Sequence, residues 1–158
     1  MHPSDFIGCG RLARPGSSPY HAAKWAVGGF TESLAQEVAP FGVKVCALEP
    51  GGMRTNWGAR ANKDTPELLP DYEPSVGVVV KALTSYWGKE TSDPAKVAQV
   101  VLRLAVSDRL PSHLLLGSDA VLHAADADAT RAADAARWRD VSISTDADEP
   151  GTLPALRF

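Results

Sequence analysis

Two proline-marked boundaries, at Ser18-Pro19 and Glu49-Pro50, enclose a pattern that few folds accept. The serine can cap free backbone N–H groups, and proline suits the first helical position because its missing donor would be unpaired there. Beyond it Ala23, Val27, Phe30, Leu34 and Val38 recur at steps of four, three, four and four. That spacing puts one apolar stripe on a helix of about 20 residues. Gly28 and Gly29 inside it cost roughly 1 kcal/mol each against alanine, which fits either close approach of another backbone or a tolerated flaw. Pro40 ends the helix and Phe41-Gly42 turns the chain. Val43-Lys-Val-Cys-Ala-Leu48 is short, mostly apolar and closed by Pro50, so it reads as a buried strand of a parallel sheet.

Similar signals recur downstream. A helix is predicted over Val76 to Trp87. Asp93-Pro94 repeats the cap-plus-proline start, with Val97, Val101 and Leu104 on the inner face of another helix. His113-Leu-Leu-Leu-Gly117 reads as a second short buried strand, and Ser118-Asp119 opens an Ala- and Asp-rich helix reaching Trp138. The long stretch from Gly51 to Pro70 holds Gly, Pro, Asn and Arg, a composition and length typical of loops over binding sites. Helices alternating with short apolar strands mean α/β with a parallel sheet. Two strands are few, because sheets hold about five or six on average.

Charge and composition exclude several function classes. A net charge of −3, a pI near 5.8 and no Lys/Arg cluster argue against nucleic acid as a partner. No apolar run approaches the ~20 residues of a membrane span. Met1-His-Pro-Ser-Asp-Phe6 lacks the basic start and apolar core of a signal peptide. Cys9 and Cys46 have no metal-ligand spacing and fit a reduced, cytoplasmic protein. His2, His21, His113 and His123 show no ligand spacing either, so no metal is expected.

Two short motifs carry chemistry. Tyr20 and Lys24 are four positions apart on one helix, hence on one face. An ammonium near a phenol favours the phenolate and lowers the tyrosine pKa from about 10. Such a tyrosine can exchange a proton with a carbonyl or alcohol oxygen, and the lysine has donors for a ribose hydroxyl. Taken alone, the pair could equally be incidental. Pro50-Gly51 follows a strand directly, at the carboxyl end of the sheet, where open α/β folds bind ligands. Glycine there allows close backbone approach, and Thr55 adds a hydroxyl suited to an amide; an ordinary strand-to-loop turn is the alternative.

Together these residues resemble the short-chain dehydrogenase/reductase family. The resemblance rests on Gly10-Arg-Leu-Ala-Arg-Pro-Gly-Ser-Ser-Pro-Tyr-His-Ala-Ala-Lys24 and Pro50-Gly-Gly-Met-Arg-Thr55. Asp93-Pro94-x-x-Val97-Ala98 and Leu114-Leu-Leu-Gly-Ser-Asp119-Ala120 extend it along the chain. It implies the C-terminal half of a Rossmann-like doubly wound parallel sheet, truncated. Tyr20 is implied as the catalytic acid/base and Lys24 as the residue that binds the nicotinamide ribose and tunes the tyrosine. Pro50, Gly51 and Met53, with the Thr55 hydroxyl, are implied to hold the nicotinamide carboxamide. The implied reaction is hydride transfer between NAD or NADP and an alcohol, ketone or aldehyde. Loop 52–70 and helix 76–87 would cover the substrate, and helix 18–39 would form a homodimer or tetramer.

The pattern also departs from the family. The position of the family's catalytic serine, thirteen before Tyr20, holds Ile7, and Ser4 would point to the other face of a strand. No glycine-rich phosphate loop and no Asn-Ala-Gly strand occur. One partial domain is expected over 1–158, with 1–9 unrelated or out of frame, 10–145 family-like and 146–158 a loose tail. A deletion, frameshift or misassigned start before Met1 would explain this, and weak dinucleotide binding by the isolated chain would follow. Two further readings are an inactive remnant and a helical interaction module using the stripe on helix 18–39. Trp57 lines the pocket or anchors the loop; Trp25, Trp87 and Trp138 read as packing residues. His21 is expected to turn away from the Tyr20 face.

Overall fold

The computed structural model describes residues 10–57, 60, 67–149 and 151. The first helix, α1, spans Ser18–Val38, with Pro19 in its opening turn. Ser17 precedes it at the cap position, and its carbonyl accepts the His21 N–H at 2.9 Å. Ser18 is therefore helical and not the cap. A single 3₁₀ turn, Ala39–Phe41, carries Pro40, and Gly42 closes it at φ 73° with its N–H on the Ala39 carbonyl. That left-handed position is the one that favours glycine at a helix end.

Strand β1 is Ala47–Pro50 and strand β2 is His113–Leu116. They pair in parallel, with Ala47 opposite His113 and Pro50 opposite Leu116, as a two-stranded sheet. The strand read over 43–48 thus starts four residues late, because the ladder exists only where β2 runs alongside. Residues 43–46 are held otherwise, Lys44 donating from Nζ to the Ser107 carbonyl at 2.8 Å. The strand is also not uniformly buried as read: Glu49 is buried, while Leu48 is exposed.

Helix α2, Val78–Tyr86, is shorter than the 76–87 expected, since a 3₁₀ turn at Pro70–Tyr72 and a π-turn at Glu73–Gly77 lead into it. Helix α3, Pro94–Ala105, starts as read, with the Asp93 carboxylate accepting the Ala95 N–H at 2.8 Å. Helix α4, Ser118–Arg137, follows β2, and Trp138 separates it from the short helix α5, Arg139–Ile143. Trp138 is exposed and so is not a packing residue among the described residues. Trp25 is half exposed, its Nε1 donating to the Leu12 carbonyl and its ring lying under the Arg131 guanidinium.

The buried apolar set is small: Leu12, Val79, Tyr86, Leu116, Ala120 and Ala124. The stripe on α1 does not join it. Phe30 is 66% exposed and Val27 55%, while the buried residues of α1 are His21 and Thr31. The helix faces the sheet with its other side, where a Cβ on Gly28 would lie in ordinary contact, 3.5 Å from the His113 ring. Gly29 has open space beyond it. Close backbone approach therefore explains neither glycine.

Candidate active site

The amino-terminal turns of α1 deliver Tyr20 and Lys24 side by side, with Lys24 Nζ 5.7 Å from the centre of the Tyr20 ring. Tyr20 is part-exposed. His21 does not turn away as its neighbouring position implied. Its ring meets Tyr20 edge-on, 5.5 Å between centroids, and is buried on the same cleft. Burial, with the nearby Arg14 charge adding to it, pushes the His21 pKa below its ordinary 6.5.

From the carboxyl end of β1 the chain turns through Pro50-Gly51-Gly52, and its backbone is tied down almost completely. Gly51 N–H donates to the Leu116 carbonyl, extending the ladder by one bond at 2.8 Å. Gly52 N–H donates to Asp119 Oδ2, also at 2.8 Å. The Ser92 N–H then donates to Gly52 O, and Arg54 N–H to Ser92 O, forming a bridge on either side of Met53. The Met53 N–H has no partner among the described residues. Glycine at position 51 answers a protein group rather than a ligand, for a Cβ there would run into the Asp119 carboxylate. Among the described residues, the Thr55 hydroxyl oxygen accepts a long bond, 3.4 Å, from the Trp57 N–H.

These elements enclose an open cleft of about 520 Å³, within the usual range for small-molecule sites. Tyr20, Lys24, Pro50, Gly51, Met53 and Thr55 all line it, so the structure brings together every site residue read from the sequence. Trp57 lines it as well, edge-on to Trp87 at 5.7 Å; the latter was expected only to pack. Ile7, Ser4 and much of the loop after Trp57 lie outside the described residues. Among the described residues no group of three His, Cys, Asp or Glu side chains could hold a metal.

The structural roles of four acidic residues were missed in the sequence. Glu49 lines the cleft floor though largely buried, taking Arg11 Nε at 3.1 Å on one oxygen and His113 Nδ1 at 2.7 Å on the other. Glu32 lies 2.9 Å from the far nitrogen of that histidine, without hydrogen-bond alignment. Glu90 is buried at the cleft edge, and Asp119 anchors the turn. A carboxylate between Leu48 and Pro50 was the available signal for Glu49. Asp119 gave none, since its partner is 67 positions away.

A nicotinamide group would find here, among the described residues, a backbone N–H at Met53 and a hydroxyl at Thr55, in a cleft of suitable size. The family model for short chain dehydrogenases matches residues 8–66. Oxidoreductase BOA17 of Botryotinia fuckeliana is 43% identical over 136 residues, covering 86% of this chain and 49% of that protein. A probable short-chain type dehydrogenase/reductase of Helicobacter pylori, VdlC, is 28% identical over 108 residues, covering 68% and 40%. The crystal structure of a short-chain dehydrogenase from Streptomyces avermitilis superposes with a TM-score of 0.71 at 34% identity, over 87% of this chain and 49% of that one. The chain thus spans about half the length, or less, of the proteins it matches. Sequence, parallel sheet and superposition agree, and the chain belongs to the short-chain dehydrogenase/reductase family, a family of oxidoreductases built on a Rossmann-like α/β fold.

Proposed function

We propose that this cleft serves hydride transfer between NAD or NADP and a small-molecule alcohol, ketone or aldehyde. The meeting of Tyr20 and Lys24 with the Pro50–Thr55 turn in one cleft carries this reading. A bound nicotinamide would give or take the hydride. The Tyr20 hydroxyl would pass a proton to the substrate oxygen, or take one from it. Lys24 would favour the phenolate and donate to a ribose hydroxyl. At the turn, the Met53 N–H and the Thr55 hydroxyl would orient a carboxamide, with Pro50 and Gly51 fixing the path of the backbone.

No pyrophosphate seat exists among the described residues, so the 158 residues alone are expected to hold a dinucleotide weakly. The same observation favours a second reading, an inactive remnant. Residues 10–145 would form the family-like unit, and the exposed Val27 and Phe30 on α1 support a homodimer or tetramer through that helix. No helix of the described residues is long and apolar enough to cross a membrane, and Cys46 is a free thiol, which fits a reducing cytoplasm.

The test is NADH and NADPH oxidation on a panel of aldehydes and ketones, with the parent chain, Tyr20→Phe and Lys24→Met. Whatever turnover the parent shows should fall at least about 100-fold in Tyr20→Phe. Undiminished activity in that variant ends the reading. A folded parent inert on the whole panel leaves the remnant in its place.

A further inference from the structure

The cleft has two unlike sides. Tyr20, Lys24 and Thr55 make one of them polar. The other is Val79, Leu83 and Tyr86 of the α2 wall together with Trp57 and Trp87. The polar atoms of that second side are already occupied or withdrawn. The Tyr86 hydroxyl takes the Thr91 N–H at 3.3 Å, and the Glu90 carbonyl is occupied by Arg54 Nε at 2.7 Å. One Glu90 oxygen takes the Gly88 N–H and the other is buried, out of a ligand's reach. What remains to meet a ligand is hydrocarbon and indole.

Trp57 stands out because nothing in the core requires it: it is 57% exposed. Its ring meets Trp87 at an interplanar angle of 76°, an edge-to-face pair. That geometry leaves indole face uncovered, and an uncovered indole face beside an apolar wall suits a flat ring. A polyol laid there would lose its water without gaining hydrogen bonds.

We infer that the substrate is a ketone, aldehyde or alcohol carried on a flat apolar ring system, bound against Trp57, Trp87 and the α2 wall. The inference rests on the dehydrogenase reading of the cleft and adds to it the class of substrate. Trp57 and Trp87 become the residues that set specificity.

Calorimetric titration of the full chain with 2-acetonaphthone and, separately, with dihydroxyacetone tests this without requiring turnover. The naphthyl ketone should bind saturably and at least about tenfold more tightly than the polyol. Trp57→Ala and Trp87→Ala should each weaken it about tenfold, the scale of one lost aromatic contact. Trp57→Phe, which keeps a ring, should restore most of the affinity and show that the alanine effect is not misfolding. Val106→Asp, exposed just after α3 and outside the cleft, should change nothing. Equal affinity for both ligands, or naphthyl binding that survives both alanine variants, overturns the inference. The hydride reading is tested instead by turnover in Tyr20→Phe. Failure of the hydride reading, seen as unchanged turnover in that variant, is therefore separate from failure of this one.

Discussion

Asp119 Oδ2 accepts the Gly52 N–H at 2.8 Å, so the first turn of α4 holds the turn that follows β1. Both groups are buried, and the other carboxylate oxygen has no partner. Asp119→Ala should cost about 1.5–3 kcal/mol, the worth of a hydrogen bond to a charged acceptor. Asp119→Asn keeps an accepting oxygen and should cost less than half as much. Urea denaturation of the two variants compares them directly, and equal losses would refute the assigned contact.

The glycines at 51 and 29 should respond in opposite ways to alanine. A Cβ on Gly51 collides with the Asp119 carboxylate, so Gly51→Ala should destabilise by about 1–3 kcal/mol. Gly29 lies in mid-helix with open space beyond, so Gly29→Ala should stabilise by up to about 1 kcal/mol. Thermal melts of both variants check the signs.

Glu49 joins Arg11 to His113 while itself almost fully buried. Glu49→Ala strands the Arg11 guanidinium and leaves the His113 Nδ1 without its partner. With Arg11 one-third exposed, the loss should be about 2–3 kcal/mol, below that of a fully buried pair. Glu49→Gln, which can still accept from Arg11, should lose less. Denaturant midpoints of the two decide between a bonded network and mere proximity.

His21 gives stability a pH dependence of defined sign. Its folded pKa is lowered, so between that value and the unfolded 6.5 the unfolded chain binds more protons. The contribution is complete above about pH 7.5 and is lost as pH falls through 6.5 toward the folded pKa. His21→Gln should flatten that part of the profile. A parallel fall of Tm with acidity in parent and variant would remove His21 as the cause.

The elements read from local signals stand where expected: Asp93 caps α3, β2 begins at His113, and α4 begins at Ser118. The lining of the candidate cleft was legible because Tyr20 and Lys24 sit on one helix and Pro50 to Thr55 in one turn, so spacing alone grouped each set. Legibility ended where pairing across the chain decides. The limits of β1 follow from where β2 lies, and the burial of Glu49 follows from Arg11 and His113. Phe30 and Val27 marked a stripe correctly by periodicity, yet periodicity names a face without saying what it meets.

The clasp between positions 52 and 119 also has a consequence for how the molecule is made. During synthesis Tyr20 and Lys24 emerge well before residue 119 and can become helical at once. The backbone turn facing them cannot settle until the chain has grown past residue 119, because its anchor has not yet been translated. The Tyr20 side of the cleft is made first, and the opposite turn takes its final shape only once residue 119 has joined it.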